Sequence, residues 1–451
     1  MPEPTEKTSD LPVALSNSSS GDRPRRPSTA RGGIDRRWLP TRRNILTLGL
    51  FTIWGPGLVV MLADTDAGSL ITAAQSGAQW GYHMVLPQLI LMPILYVVQE
   101  ITVRLGVVTG KGHAMLIREQ FGRGWALVSA GALFLSVIGA LLTEFAGIAG
   151  VGEIIGISPW VTIPISTALL VGLAFTGSYK RVERVGIAVG LCEVAFFVAM
   201  ILSHPQASDL LHGMLSAPLG NSSYLLLLAA NVGAVIMPWM IFYQQGAVID
   251  KHLSERVIKK ARQDTAFGAI LTQLIMIAVV ISIAATVGTH GDAVSLQSVG
   301  QIADALTPYL GPVGGTVLFG LGMLGAALVA AIVSSVAGAW GLAEVFGWKH
   351  SLNERPSRST AKFYTTYALA HVLGAILVLA SVDIIGLALD VEIMNALLLP
   401  IVLGFLLLLE AKSLPPKWRM RGARKYITWT LCALVIAFGL YFIPYALGVV
   451  H

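Results

Sequence analysis

Eleven apolar runs, separated by short polar stretches, fill positions 45 to 449 of this 451-residue chain. About 20 consecutive apolar residues suffice for a helix to cross the hydrocarbon core of a bilayer. The runs lie at about 45–78, 83–107, 124–152, 158–178, 183–203, 222–249, 264–287, 312–345, 363–382, 390–410 and 426–449. Only 12% of the residues are charged and the mean hydropathy is +0.71, against about 25% charged in a soluble domain. These features specify an all-α polytopic membrane protein.

The basic residues test the count. All 31 Lys and Arg fall in the N-terminal tail or in alternate loops: Arg104 to Arg123, Lys180 to Arg184, Lys251 to Arg262, Lys349 to Lys362 and Lys412 to Lys425. The loops between, at 79–82, 153–157, 204–221, 288–311 and 383–389, contain none. By the positive-inside rule the N-terminus is cytoplasmic and His451 lies outside. The net charge of +6 therefore reports topology, not nucleic-acid binding. Residues 1–43 are polar, rich in Ser, Pro and Arg, and read as a disordered basic cytoplasmic tail without a signal-peptide layout. Residues 44–451 form the transmembrane domain. Cys192 and Cys432 each lie in an apolar span and offer no disulfide framework.

Two spans are interrupted. Near the middle of the first stands Leu62-Ala-Asp-Thr-Asp-Ala-Gly-Ser69. An acid at membrane depth costs about 2.5–3.5 kcal/mol on insertion scales, so Asp64 and Asp66 require a reason to be there. Gly68 and Ser69 are poor helix formers. A helix broken at this depth exposes carbonyls, which is tolerated only where they are buried or line a cavity. Acid plus carbonyl is a cation site; the plainer alternative is a kink with a paired or solvated aspartate. The sixth span reads Asn231-Val-Gly-Ala-Val-Ile-Met-Pro-Trp-Met240. Gly233 and Pro238 weaken it, and Pro238 frees a carbonyl one turn earlier, near Ala234. Met237 offers a thioether, or fills core as most membrane methionines do. Spans one to five run inside to outside and spans six to ten run inverted, each half opening on a broken helix. This layout marks an inverted-repeat transporter, repeats about 45–203 and 222–410, with its site at the midplane.

The residues Gly55-Pro-Gly57, Asp66-Ala-Gly-Ser69, Gln75-Ser-Gly-Ala78, Arg104-Leu-Gly-Val-Val-Thr-Gly110 and Gly233-Ala-Val-Ile-Met-Pro238 resemble the NRAMP superfamily of divalent-metal transporters over 45–449. The resemblance implies a LeuT-type fold of five plus five helices, with an eleventh at 426–449. It implies a metal site made by Asp66, Ser69, the Ala234 carbonyl, Met237 and Glu392, with Asp64 and Gly233 beside them. The departures are specific. Ala67 replaces proline, Ser69 replaces asparagine, Trp239 replaces histidine, and in Thr143-Glu144-Phe-Ala-Gly147 a glycine stands where a second acid is expected. Asp64 is an added acid. This pattern looks most like the bacterial NRAMP-related magnesium transporter branch.

The expectation is a secondary transporter, not an enzyme, importing Mg²⁺ and Mn²⁺ through the cytoplasmic membrane by alternating access, without proton coupling. A proton-coupled Mn²⁺/Fe²⁺ importer and an organic-solute transporter on the same fold are the alternatives. No cofactor, nucleic acid or obligate protein partner is expected beyond the metal ion and the lipid bilayer. Glu193 reads as structural, Glu100 and Arg104 as a local i, i+4 ion pair, and His371 as a packed histidine. Asp383, Asp390 and Glu392 are expected around the outer turn between spans nine and ten, near the acidic loop holding Asp292 and Asp304.

Overall fold

A computed structural model describes residues 55–175, 188, 191–288, 294–351, 356–381 and 383–446. The proposed tail and the first ten residues of the first span lie outside these, as does the start of the fifth span.

The first span is two helices, α1 (Pro56–Leu62) and α2 (Ala67–Trp80). A 3₁₀ turn, Gly81–Met84, leads into α3 (Val85–Thr109). The short α4 (His113–Phe121) precedes α5 (Arg123–Ile154) and α6 (Pro159–Ala174). The fifth span is described from the turn Leu191–Val194 through α7 (Ala195–Leu202). The sixth is again two helices, α9 (Ser222–Val235) and α10 (Pro238–Asp250), preceded by α8 (Ala207–Leu215). Then come α11 (Ile258–Ile283), α12 (Val299–Phe346), α13 (Ala361–Leu379), α14 (Ile384–Ser413) and α15 (Gly422–Ala446).

Among the described residues, eight stretches are long and apolar enough to cross a membrane, or nine with the bent pair Leu191–Leu202 and Ala207–Leu215. One stretch, Ala67–Thr109, contains the second half of span one and all of span two, and the shorter Pro159–Ala174 is span four. Each of the eleven expected runs thus has a helical counterpart among the described residues.

Three regions differ from the sequence expectation. The loop after span five contains α8, bent by 108° from the preceding helix. The expected loop 288–311 contains a helical segment from Val299, which Gly311, with non-helical backbone (φ 72°, ψ 164°) suited to glycine, separates from the spanning stretch Val313–Phe346, so the eighth span itself starts where expected. Helix α14 starts at Ile384, so Glu392 is not at the outer turn but fully buried in the helix, while Asp383 caps its N-terminus through the Gly386 amide at 2.8 Å.

Packing brings the two breaks together. Helix α12 lies along α5, α9 along α14, and α11 against α1, α2 and α3. Glycines set the closest approaches. A Cβ on Gly233 would sit 1.8 Å from the Glu392 carbonyl oxygen, so α9 and α14 touch backbone to backbone there. The Gly55-Pro-Gly57 motif has a similar cause. Asp264 of α11 accepts the Gly55 and Leu58 amides at 3.0 and 3.3 Å, and a Cβ on either glycine would strike its carboxylate at 2.7 Å.

On the cytoplasmic side assigned by the basic loops, Arg104 pairs with Glu100 at 3.0 Å, as its spacing suggests, and also with Glu410 of α14 at 3.1 Å. Glu100 further receives Arg262 of α11 at 2.8 Å and Arg424 of α15 at 2.5 Å. At the opposite end Asn231 of α9 donates to Ser76 of α2 and accepts from Gln88 of α3, at 2.8 and 2.6 Å. Gln75 holds Ser295 and the Leu296 amide at 2.8 and 2.9 Å.

Candidate cation site at the paired helix breaks

The α2 helix begins because Asp66 caps it. Its backbone is extended (φ −72°, ψ 177°) and its Oδ1 accepts the Ser69 amide at 2.7 Å, the ordinary work of an N-cap aspartate. Capping accounts for one oxygen. The other, Oδ2, is buried with no N–H or hydroxyl donor, and the Glu144 carboxyl stands against the same carboxylate, so a proton or a cation must lie between the two acids. The second break is made by Pro238 at the first position of α10, preceded by Met237 in extended conformation (φ −82°, ψ 137°).

One hydrogen bond joins the breaks. Ser69 Oγ donates to the Ala234 carbonyl at 3.0 Å, with both residues fully buried. Ser69 and Ala234 are therefore adjacent, as the resemblance implied. Glu392 reaches the same helix start. Its Oε1 lies 2.4 Å from where a Cβ on Gly68 would be and has no partner, while Oε2 accepts Asn395 Nδ2 at 3.0 Å. Asn395 in turn accepts Ser136 Oγ at 2.8 Å, so two helices fix the carboxylate.

Met237 sits differently from a simple ligand. Trp239 Nε1 donates to its sulfur at 3.1 Å, so the sulfur is already engaged by the residue that stands in place of the expected histidine. Gly233 serves the α9–α14 contact described above. Asp64 turns to α11, where Thr272 donates to its Oδ2 at 3.4 Å, and its Oδ1 is unpartnered.

Two further acids belong to this region: Glu144, which the resemblance marked as the first acid of its motif, and Glu193, which the sequence read as structural. Glu144 of α5 accepts the Ala67 amide at 3.2 Å, at the same helix start as Asp66. Glu193 meets the Thr65 hydroxyl inside the first break. The motif match signalled Glu144, but nothing in the sequence placed Glu193 here; the packing of the 191–194 turn against the break reveals it. Gly147, where a second acid was expected, is filled by packing: a Cβ there would lie 2.4 Å from the Ala67 Cβ.

Asp64, Glu144, Glu193 and Glu392 all lie within electrostatic reach of Asp66. The buried basic side chains among the described residues are Arg104, His113 and His371. Arg104 serves Glu100 and Glu410, His113 pairs with Gln245, and His371 bonds the Tyr367 carbonyl. None compensates the carboxylates. Among the described residues no three Asp, Glu, His or Cys side chains converge tightly enough to hold a metal by themselves. The arrangement is one carboxylate beside a main-chain carbonyl and a hydroxyl, with further acids behind.

Comparison with known proteins agrees with this architecture. The model of the "Natural resistance-associated macrophage protein-like" family matches residues 57–444. The chain is 28% identical over 302 residues to the divalent metal cation transporter MntH of Verminephrobacter eiseniae, covering 63% of this chain and 66% of that protein. It is 27% identical over 299 residues to the protein of the same name from Pectobacterium carotovorum, covering 64% and 71%. Among solved structures, the Eremococcus coleocola manganese transporter superposes with a TM-score of 0.72 at 17% identity, over 90% of this chain and 88% of that one. Mhp1, a nucleobase-cation-symport-1 family transporter, superposes at 0.57 with 14% identity, over 86% and 90%. Those likenesses establish the LeuT-type fold with both broken helices. The family match, running from the first helix before the Asp66 break to the last helix, covers most of the sequence: this chain belongs to the natural resistance-associated macrophage protein-like family.

Proposed function

We propose that this protein is a multi-pass secondary transporter that carries divalent metal ions, Mg²⁺ and Mn²⁺, into the cytoplasm by alternating access. The observation that supports it is the joint between the two breaks. Ser69 of one is bonded to the Ala234 carbonyl of the other, beside an Asp66 oxygen that is buried with no N–H or hydroxyl donor. A cation is a natural partner for that oxygen. The relatives' names, metal transporters rather than enzymes, agree with this reading.

In this reading Asp66 is the principal ligand, with Ser69 and the Ala234 carbonyl, while Glu392, Asp64 and Gly233 border the ion's path. Met237 borders a hydrated ion instead of binding tightly, because Trp239 already occupies its sulfur. Mg²⁺ dehydrates reluctantly and favours oxygen, which suits a site with one ready carboxylate. The N-terminus is cytoplasmic and His451 outside. Proton coupling is absent: Trp239 cannot titrate and Gly147 carries no acid. A divalent ion gains about 4.6 kcal/mol per 100 mV from the membrane potential, twice the single-charge value, which drives import unaided. The specific feature favouring a proton-coupled importer instead is Glu144, a second carboxyl at the start of α2.

The test is Mn²⁺ and Mg²⁺ uptake into liposomes containing the purified protein, with a pH-sensitive dye inside. Wild type imports both without acidification, and Asp66→Ala imports neither while still purifying as a folded protein. Normal uptake by Asp66→Ala sinks the site assignment; metal-dependent acidification favours the coupled alternative.

A further inference from the structure

We propose a second cation site on the α11 side of the first break, formed by Asp64, Thr65 and Glu193 with the Leu62 carbonyl, which takes a hard cation through oxygen alone. Asp64 and Asp66 are two residues apart in the turn that joins α1 to α2 and use different neighbours. Asp66 bonds Ser69 and faces the α9 break. Asp64 bonds Thr272 of α11, and Thr65, between them, meets Glu193 of the 191–194 turn.

Thr65 Oγ1 stands between two oxygens, the Leu62 carbonyl at 3.0 Å and Glu193 Oε2. Its single hydrogen serves one of them, so the other contact takes either a proton on Glu193 or a bound cation. Beyond that contact, Glu193 Oε1 and Asp64 Oδ1 have no partner at all, and the two side chains are 0% and 1% exposed. Leu62 ends α1, so its carbonyl is one of those a helix terminus leaves without an intrahelical donor. The buried bases are committed elsewhere, so no protein cation supplies the charge.

The donor set is two carboxylates, hydroxyls and a main-chain carbonyl, with neither sulfur nor imidazole. Oxygen-only sets suit hard cations. The thioether of Met237 borders the other site, so the two sites on one break differ in chemistry as well as position. The 191–194 turn is thereby tied to the break, and an ion here would fix the hinge between α1 and α2.

This inference does not rest on the transport reading, since Asp66→Ala removes that reading's acid and leaves this site intact. The test uses the purified full chain in detergent, stripped with chelator. MgCl₂ is titrated by calorimetry in choline buffer, and NaCl is titrated separately while thermal stability is followed. Wild type binds two Mg²⁺, or one Mg²⁺ plus a saturable stabilisation by Na⁺. Asp66→Ala loses one Mg²⁺ and keeps the second binding event. Glu193→Gln, which preserves shape, loses that second event or weakens it at least ~10-fold, the low end of what removing even an outer partner of a metal ligand costs. Asp64→Asn and Thr65→Val do the same, and stand in if Glu193→Gln fails to fold. A single Mg²⁺ with no Na⁺ response, or a second event indifferent to all three substitutions, overturns the proposal.

Discussion

Gly147 gives the sharpest test of how the candidate site is held. A Cβ at this position would lie 2.4 Å from the Ala67 Cβ, while its next neighbours, Met323 Cγ and Ala67 Cα, stand at 3.6 and 3.8 Å, ordinary contact. The collision therefore has one cause. Gly147→Ala must push α5 and the start of α2 apart by about an ångström, and overpacking of this size costs about 1–3 kcal/mol. Ala67 is also the residue whose amide Glu144 accepts, so the displacement falls directly on the helix start that Asp66 caps. Pairing Gly147→Ala with Ala67→Gly moves the methyl group from one helix to the other and removes the clash. The expected coupling between the two substitutions is favourable by about 1–2 kcal/mol, within the range measured for touching residues. Thermal unfolding in detergent reads stability and Mn²⁺ binding reads the site: Gly147→Ala is impaired in both, and the double variant recovers most of each loss. A Gly147→Ala protein as stable as wild type, or a strictly additive pair, would falsify the close-approach account of why this position lacks the expected acid.

Three further outcomes follow from single contacts. Ser69→Ala deletes the bond between the breaks, worth about 1 kcal/mol, and weakens Mn²⁺ binding about fivefold by calorimetry; unchanged affinity detaches Ser69 from the site. Asp264→Ala uncaps α1 at a cost of about 1–2 kcal/mol, whereas Asp264→Asn keeps an acceptor and loses less, an order readable in melting temperatures. His113 lies in α4 between membrane spans, and burial pushes its pKa down to about 4, against about 6.5 in an unfolded chain. The folded state thus holds the ring neutral, so the stability present above about pH 6.5 is lost as pH falls toward 4. His113→Asn flattens that part of the melting profile; a wild-type profile already flat between pH 7 and 4.5 contradicts the assignment.

The spans and both breaks were legible in the sequence because lipid imposes a length, a polarity and a charge bias that a one-dimensional pattern records. Pro238 marks the second break for a reason local to its own backbone, whereas Gly68, Ser69 and Gly233 stand inside α2 and α9, the two glycines for the close approach of α14. What the pattern could not carry was direction. Nothing in Asp64-Thr-Asp66 says that the first acid turns to Thr272 and the second to Ser69, because the short turn between two helices leaves each side chain's heading to its neighbours. Glu193 and Glu144 were visible as acids in apolar spans, but their nearness to the first break depends on packing across more than 70 residues of sequence. The Trp239–Met237 bond was equally hidden: the substitution read as the loss of a titratable group, and its gain, a donor for the sulfur, appears only in three dimensions. The placement of Glu392 near an outer turn failed because the helix already begins at Ile384, so that Asp390 and Glu392 stand inside α14 and not in the turn before it.

The ion cluster around Glu100 has an evolutionary consequence. Three arginines from three helices converge on one buried carboxylate, and one of them also holds Glu410. The dependence is unequal. Removing Arg262 or Arg424, each partly exposed at 30% and 43%, leaves Glu100 with two partners and its charge still covered. Removing Glu100 leaves three guanidinium groups facing one another, with Glu410 to answer only the innermost. Drift can therefore exchange the outer arginines one at a time, whereas the acid can leave only if several positions change together. Helices α11 and α15 enter the cluster through its replaceable members, so these two links can vary among descendants while the junction of α3 and α14 through Arg104 and Glu410 stays fixed.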